Sequence, residues 1–154
     1  MRVSKQVMEA EGLCPQRLVM EHLTSRWGVL VLIELLDRPY RFSELRRAVG
    51  RWGRSVSEKM LTQTLQTLER DGLVHRDAKP VIPPRVDYSL TALGREAAEQ
   101  VRALAGWTDA RLADIEKARL AYDEAREAKA RTDEAREART RTYDEAREEK
   151  SRAS

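Results

Sequence analysis

The chain has 154 residues, of which 41% are hydrophobic and 36% charged, with a formal net charge of +3. That length accommodates one core of ordinary size plus an appendage, which excludes two large domains. The single cysteine, Cys14, excludes an intrachain disulfide framework, and the N-terminus MRVSKQVMEAEG lacks the apolar stretch of a secretory signal, so a soluble cytoplasmic protein is expected.

The charge is unevenly placed. Residues 1–107 carry 17 basic and 13 acidic side chains, whereas residues 108–154 carry 12 and 13. The basic excess of the front part favours a polyanionic partner there. Residues 1–12 read as a flexible N-terminus, 13–107 as the folded domain and 108–154 as a charged Ala/Glu/Arg-rich helical extension.

Pro15 to about Thr24 places Leu18, Val19, His22 and Leu23 on one face, as in a short helix opened by proline. Trp27 to Leu36 (WGVLVLIELL) is apolar nearly all round. It is about half of the ~20 residues that cross a bilayer, and its leucines and the Asp37-Arg38-Pro39 stop predict a buried central helix. Phe42 to Val49 sets Phe42, Leu45 and Val49 opposite Arg46 and Arg47.

Leu61, Leu65 and Leu68 recur at helical spacing, with Gly72 as the stop. Either Ser55 with Glu58 or Ser57 could cap this helix. The pattern then alternates: Leu73 to Ala78 and Arg85 to Leu90 read as strands of a hairpin, joined by the stiff loop Lys79-Pro80-Val81-Ile82-Pro83-Pro84. Thr91 is placed to cap a last helix. Along it Leu93, Leu104 and Ile115 lie eleven residues apart, as do Val101 and Leu112, a spacing that keeps one stripe on a nearly straight helix. Past Tyr122 the stripe fades into repeats of Asp-Glu-Ala-Arg-Glu at 123–127, 133–137 and 144–148. There Glu127 with Arg131 and Glu137 with Arg141 have the spacing of helical ion pairs.

The predicted class is therefore mainly α with a small β-hairpin: a winged helix-turn-helix domain followed by a long C-terminal helix. In such a fold the second DNA-proximal helix enters the major groove and the hairpin reaches an adjacent groove or phosphates. With its leucines inward, the helix from Ser57 presents Lys59, Thr62, Gln63, Gln66 and Arg70 outward. Gln can bond adenine bidentately, Thr can meet a thymine methyl and Lys can reach guanine or phosphate, so Lys59, Thr62 and Gln63 are the candidates for base edges. Arg41, Ser43, Arg46 and Arg47 before that helix, Arg51 and Arg54 in the turn, and Arg76, Lys79 and Arg85 around the hairpin supply the phosphate-facing shell.

The set Cys14-Pro15, Trp27, Arg41-Phe42-Ser43-Glu44-Leu45, Ser57-Glu58-Lys59-Met60-Leu61-Thr62, Leu68-Glu69-Arg70-Asp71-Gly72-Leu73, Pro83-Pro84-Arg85-Val86 and Tyr88-Ser89-Leu90-Thr91 with Gly94 resembles the HxlR-type bacterial transcription regulators of the MarR-like superfamily. The resemblance runs from about Cys14 to Trp107. It implies a homodimer whose N-terminal and C-terminal helices form the interface, bound to a partly palindromic operator as repressor or activator. By the same resemblance Ser57, Lys59, Met60 and Thr62 fall in the recognition helix and Arg85 on the wing. Leu18, Leu23, Val101, Leu104, Trp107, Leu112 and Ile115 are the interface candidates. Many such regulators respond to aldehydes, quinones or oxidants through a cysteine at the position of Cys14, which makes it the candidate sensor of an oxidant or small-molecule effector. That role requires a thiolate open to solvent and near positive charge, with Arg17 the candidate neighbour.

The chain departs from this pattern in its turn. Gly50-Arg51-Trp52-Gly53-Arg54-Ser55-Val56-Ser57 is about four residues longer than the usual Pro-Gly-Ile-Ser form, and Trp52 within it either extends the backbone contact or stacks on a partner or, the favoured reading, packs beneath the turn. An enzyme is not expected: with one cysteine, only His22 and His75 and no Gly-rich phosphate loop, the sequence offers no metal cluster, cofactor site or nucleophile-base pair. The competing reading is a scaffold protein that works through its charged C-terminal helix and binds DNA without specificity.

Overall fold

The computed structural model describes residues 14–53 and 55–152, so the expected flexible segment 1–12 and Arg54 lie outside the described residues. The chain divides into two compact units, Met1–Gly106 and Trp107–Ser154. The first contains α1 (Pro15–Thr24), α2 (Arg26–Asp37), β1 (Tyr40–Arg41), α3 (Phe42–Gly50), α4 (Glu58–Arg70), β2 (Val74–Lys79), β3 (Arg85–Leu90) and the start of α5 (Ala92–Arg152). The class is the predicted one, with a third strand added: the antiparallel sheet has the order β1-β3-β2. Among the described residues no helix is long and apolar enough to cross a membrane.

α2 is the centre of the first unit because it is apolar on every side. Val31, Leu32, Leu35 and Leu36 are buried together with Leu45, Ala48 and Val49 of α3, Leu61, Leu65 and Leu68 of α4, and Ala98 and Val101 of α5. Full burial of each such leucine stabilises the fold by roughly 1.5–3 kcal/mol relative to exposure. The Ser25 side chain caps α2 by accepting from the Gly28 N–H at 3.1 Å. Its C-terminal end meets positive charge from α5, where Arg95 donates to the Leu36 carbonyl at 3.4 Å and Arg102 pairs with Asp37 at 3.4 Å.

α1 differs from the expected inward face. None of its residues is fully buried and Val19 is exposed; only its far end reaches the core, through Leu23. The helix is a flap on α2 and α4, not a layer between them.

α4 ends in a Schellman motif: Leu73 N–H donates to the Leu68 carbonyl at 2.9 Å and Gly72 N–H to Glu69 at 3.0 Å, with Gly72 at φ +73°. This explains why β2 begins at Val74 and not at Leu73. The Leu73 N–H closes the helix and its carbonyl accepts from Thr91 N–H at 3.1 Å, so neither group is left for the ladder. Thr91 caps α5 as expected, its hydroxyl accepting from Gly94 N–H at 2.9 Å.

In the second unit α5 carries an exposed polar surface with Trp107, Leu112, Leu120, Tyr122 and Tyr143 also exposed. Among the described residues no ion pair joins Glu127 to Arg131 or Glu137 to Arg141, while Arg111 pairs with Asp114 at 3.8 Å. Long, fully solvated side chains gain too little from pairing to hold one geometry. Thr132, Thr140 and Thr142 instead donate to carbonyls one turn back at 2.9–3.0 Å.

Candidate nucleic-acid interface

The helix α4 begins where the second of the two capping choices places it. Ser57 is the cap, its hydroxyl accepting from Met60 N–H at 3.2 Å, while Ser55 stays in the turn. Because Leu61, Leu65 and Leu68 are buried, the other side of the helix is open, and Lys59, Met60, Thr62, Gln63 and Gln66 are all exposed on it. These groups give one helix face both donors and acceptors together with an apolar methyl-bearing surface.

The cations around α4 do different jobs. Arg47 is exposed, whereas Arg46 is half-buried and braces the turn: Nε donates to the Val56 carbonyl at 3.0 Å and a terminal nitrogen to Glu58 Oε1 at 3.1 Å. Arg41 is exposed in β1 and its backbone N–H donates to Glu44 Oε2 at 3.1 Å. That bond holds the Glu44 carboxyl below its ordinary pKa, with a smaller contribution from Arg38. Two clefts adjoin at Phe42 and Ser43. One, about 460 Å³, is lined by Arg46, Arg47 and Ser55; the other, about 520 Å³, by Arg41, Arg85 and the Pro83-Pro84 loop. Together they make a concave, basic surface beside the start of α4.

The hairpin carries its own counter-charges, which the sequence reading did not anticipate. Arg85 Nε lies 3.0 Å from both Asp87 carboxylate oxygens, and Lys79 pairs with Asp77. The register explains the arrangement. Asp77 faces Asp87 and Lys79 faces Arg85 across the β2–β3 ladder, so each acid has a cation two residues away on its own strand and on the same side. Asp87 pushes the Arg85 pKa up, and Lys79 holds the Asp77 carboxyl below its usual range. Arg76 lies on the other side of the ladder, exposed, opposite Tyr88. The alternation Asp-x-Lys and Arg-x-Asp is visible in the sequence and could have signalled this balance.

His22, on the predicted apolar face of its helix, is half-buried and tied to α4: its Nδ1 is 2.5 Å from Asp71 Oδ2 at the C-cap of that helix. Cys14 is exposed at the N-cap of α1, with its Sγ donating to Gln16 Oε1 at 2.8 Å. Arg17, the candidate neighbour of the thiol, pairs with Glu21 at 3.2 Å instead, because helical i,i+4 spacing puts that carboxylate within its reach. Trp52 is a correction. It is 54% exposed and does not pack beneath the turn; what fixes it is a hydrogen bond from Nε1 to Glu34 Oε1 at 2.8 Å.

Of the interface candidates, Val101 is covered by the chain's own core, Leu18, Leu23 and Ile115 are half-buried, and Leu104, Trp107 and Leu112 are exposed. Among the described residues no group of three or more His, Cys, Asp or Glu could hold a metal ion.

Comparison with known proteins supplies the context for this surface. The HxlR-like helix-turn-helix family model matches residues 22–116. The HTH-type transcriptional regulator YtfH of Escherichia coli (strain K12) is 53% identical over 102 residues, 66% of this chain and 78% of that one. The solved structure of ytfH from Salmonella typhimurium superposes with a TM-score of 0.64 at 51% identity, over 70% of this chain and 93% of the other. The redox regulator HypR in its oxidised form is similar at a TM-score of 0.56 and 33% identity, over 63% and 96%.

Proposed function

The chain belongs to the HxlR-like helix-turn-helix family of transcription regulators, and from that premise we propose that it binds a partly palindromic operator as a homodimer, with α4 in the major groove. The observation that carries this reading is the open face of α4, whose base-compatible side chains Lys59, Thr62, Gln63 and Gln66 stand beside a basic concave surface. Lys59, Thr62 and Gln63 read base edges from the N-terminal part of the helix. Ser57 and Met60 sit at its entry, and Arg41, Ser43, Arg47, Arg76, Lys79 and Arg85 position it against phosphates. Contiguous exposed apolar surface is a mark of an interaction site. Met20, Leu93 and Leu104 in the first unit and Trp107, Leu112 and Leu120 in the second are the surfaces a second copy would take up.

The deciding experiment compares a duplex selected by the chain from a random-sequence library with unselected duplex, by fluorescence anisotropy at several salt concentrations. A regulator binds the selected duplex about 10³-fold or more tightly. Equal affinity for both, lost at moderate salt, would leave only charge-driven binding and favour the scaffold reading.

Cys14 adds a switch to this reading. It is exposed at a helix end, and HypR, a relative of known structure, is described as a redox regulator. Hydrogen peroxide oxidises the Cys14 thiolate to a sulfenic acid: the sulfur takes one oxygen as OH, the O–O bond breaks, and the departing hydroxide is protonated to water. Peroxide treatment is expected to release DNA from the wild type but not from Cys14→Ser; equal release from both removes the switch.

A further inference from the structure

Glu34 is the charged side chain that is buried among the described residues, 7% exposed in a helix whose neighbouring positions are Ile33 and Leu35. Taking a carboxylate out of water is costly unless donors replace the solvent. Two hydrogen bonds and an ion pair do so: Trp52 Nε1 donates to Oε1 at 2.8 Å, the Tyr40 hydroxyl donates to Oε2 at 3.1 Å, and the Arg51 guanidinium pairs with Oε2 at 3.5 Å.

These donors come from two separate places. Arg51 and Trp52 belong to the lengthened turn that leads into α4. Tyr40 belongs to β1 and pairs with Tyr88 of β3, the strand that leads out of the wing loop. One buried carboxylate in α2 thus ties the approach to the recognition helix to the base of the wing. Burial alone does not hold Trp52 in place, since more than half of it is exposed. The bond to Glu34 does, and it acts on the side of the turn nearest α2, while Arg46 holds the far end through Val56 and Glu58.

We propose that Glu34, Tyr40 and Trp52 are positioning residues that set the spacing between α4 and the wing, and through it the discrimination between operator and other DNA. Specific binding needs the helix and the wing in register with two grooves at once, whereas non-specific binding needs only cations near phosphates. Loosening this link therefore costs affinity for the operator and leaves the sequence-independent component untouched. The inference rests on the DNA-binding reading above.

Trp52→Phe tests it, because an aromatic ring is kept while the indole N–H donor to Glu34 is lost. Binding is measured on the library-selected duplex and on random duplex across a salt series, alongside the thermal midpoint. The expected result is a loss of about tenfold on the selected duplex, or about 1.4 kcal/mol, with the affinity for random duplex and the salt slope unchanged. Glu34→Gln keeps an acceptor for Trp52 and, through its amide N–H, a partner for the Tyr40 oxygen, so it is expected to lose less than Glu34→Ala. Unchanged discrimination in Trp52→Phe, or an equal loss on both duplexes, overturns the positioning role. A wild type that itself fails to discriminate overturns the DNA-binding reading instead.

Discussion

Two glycines of the same helix should respond to alanine with opposite signs. At Gly94 an added Cβ would lie 1.8 Å from the Leu73 carbonyl oxygen and 2.7 Å from its carbon, whereas at Gly106 nothing lies within 4 Å. The obstacle at Gly94 is backbone, so no rotamer change relieves it. Restoring ordinary contact requires a separation of about 1.5 Å more between α5 and the start of β2, the scale of shift at which overpacking costs about 1–3 kcal/mol. The same movement pulls on the Thr91 N–H to Leu73 carbonyl bond of 3.1 Å, and a lost hydrogen bond of this kind adds about 1 kcal/mol. Gly94→Ala is therefore expected to destabilise by about 2–4 kcal/mol, or on the order of 10–20 °C in the thermal midpoint of a domain this size. Gly106→Ala, in open helix, should stabilise by up to about 1 kcal/mol. Calorimetry on the two variants separates them. A Gly94→Ala midpoint equal to or above wild type would refute the close approach, and a lowered one for Gly106→Ala would refute the open surroundings.

Asp87→Asn should release Arg85 from its carboxylate and tighten binding to any duplex at low salt, with the log–log salt slope steepened by about 0.9 for each Arg85 that gains a phosphate, about 1.8 per dimer; an unchanged slope would mean Arg85 does not reach DNA. Asp77 titrates below the ordinary aspartate range in the folded chain because Lys79 pairs with it, so as pH falls the unfolded chain takes up the proton first. The stability this pairing adds is present above about pH 4, the unfolded value, and is lost as pH falls through the lower folded value. The stability difference between wild type and Asp77→Asn should accordingly shrink on acidification, as followed by chemical denaturation, and a difference that grows would contradict it. Deleting residues 123–154 should leave both dimerisation and DNA affinity intact, as read by sedimentation and anisotropy; loss of either would assign that segment a direct role.

The elements of the fold were legible because each carries its own local signal. Leu61, Leu65 and Leu68 mark the inward side of α4, Gly72 stops it, and Val86, Tyr88 and Leu90 alternate as a strand should. β1 was not legible: two residues, Tyr40 and Arg41, show no period, and they are a strand only because β3 is there to pair with them. The start of β2 was misplaced for a similar reason, since the Leu73 backbone is taken by a helix end and by Thr91. The candidate interface was legible as residue types but not as roles. Arg46 and Arg47 are adjacent and alike in sequence, yet one braces the turn and the other is open to solvent.

By itself the sequence determined the class, the order of elements and which side of α4 is free to meet a ligand, because hydrophobic period and capping are properties of neighbours along the chain. Only the tertiary structure decided which charges act across the fold and which act locally. Arg85 and Lys79 answer to aspartates two residues away, whereas Glu34, which in sequence is a lone acid within an apolar run, gathers Tyr40, Arg51 and Trp52 from later segments. A buried carboxylate must find donors wherever the fold brings them, and that need, invisible to any local pattern, joins the lengthened turn to the base of the wing.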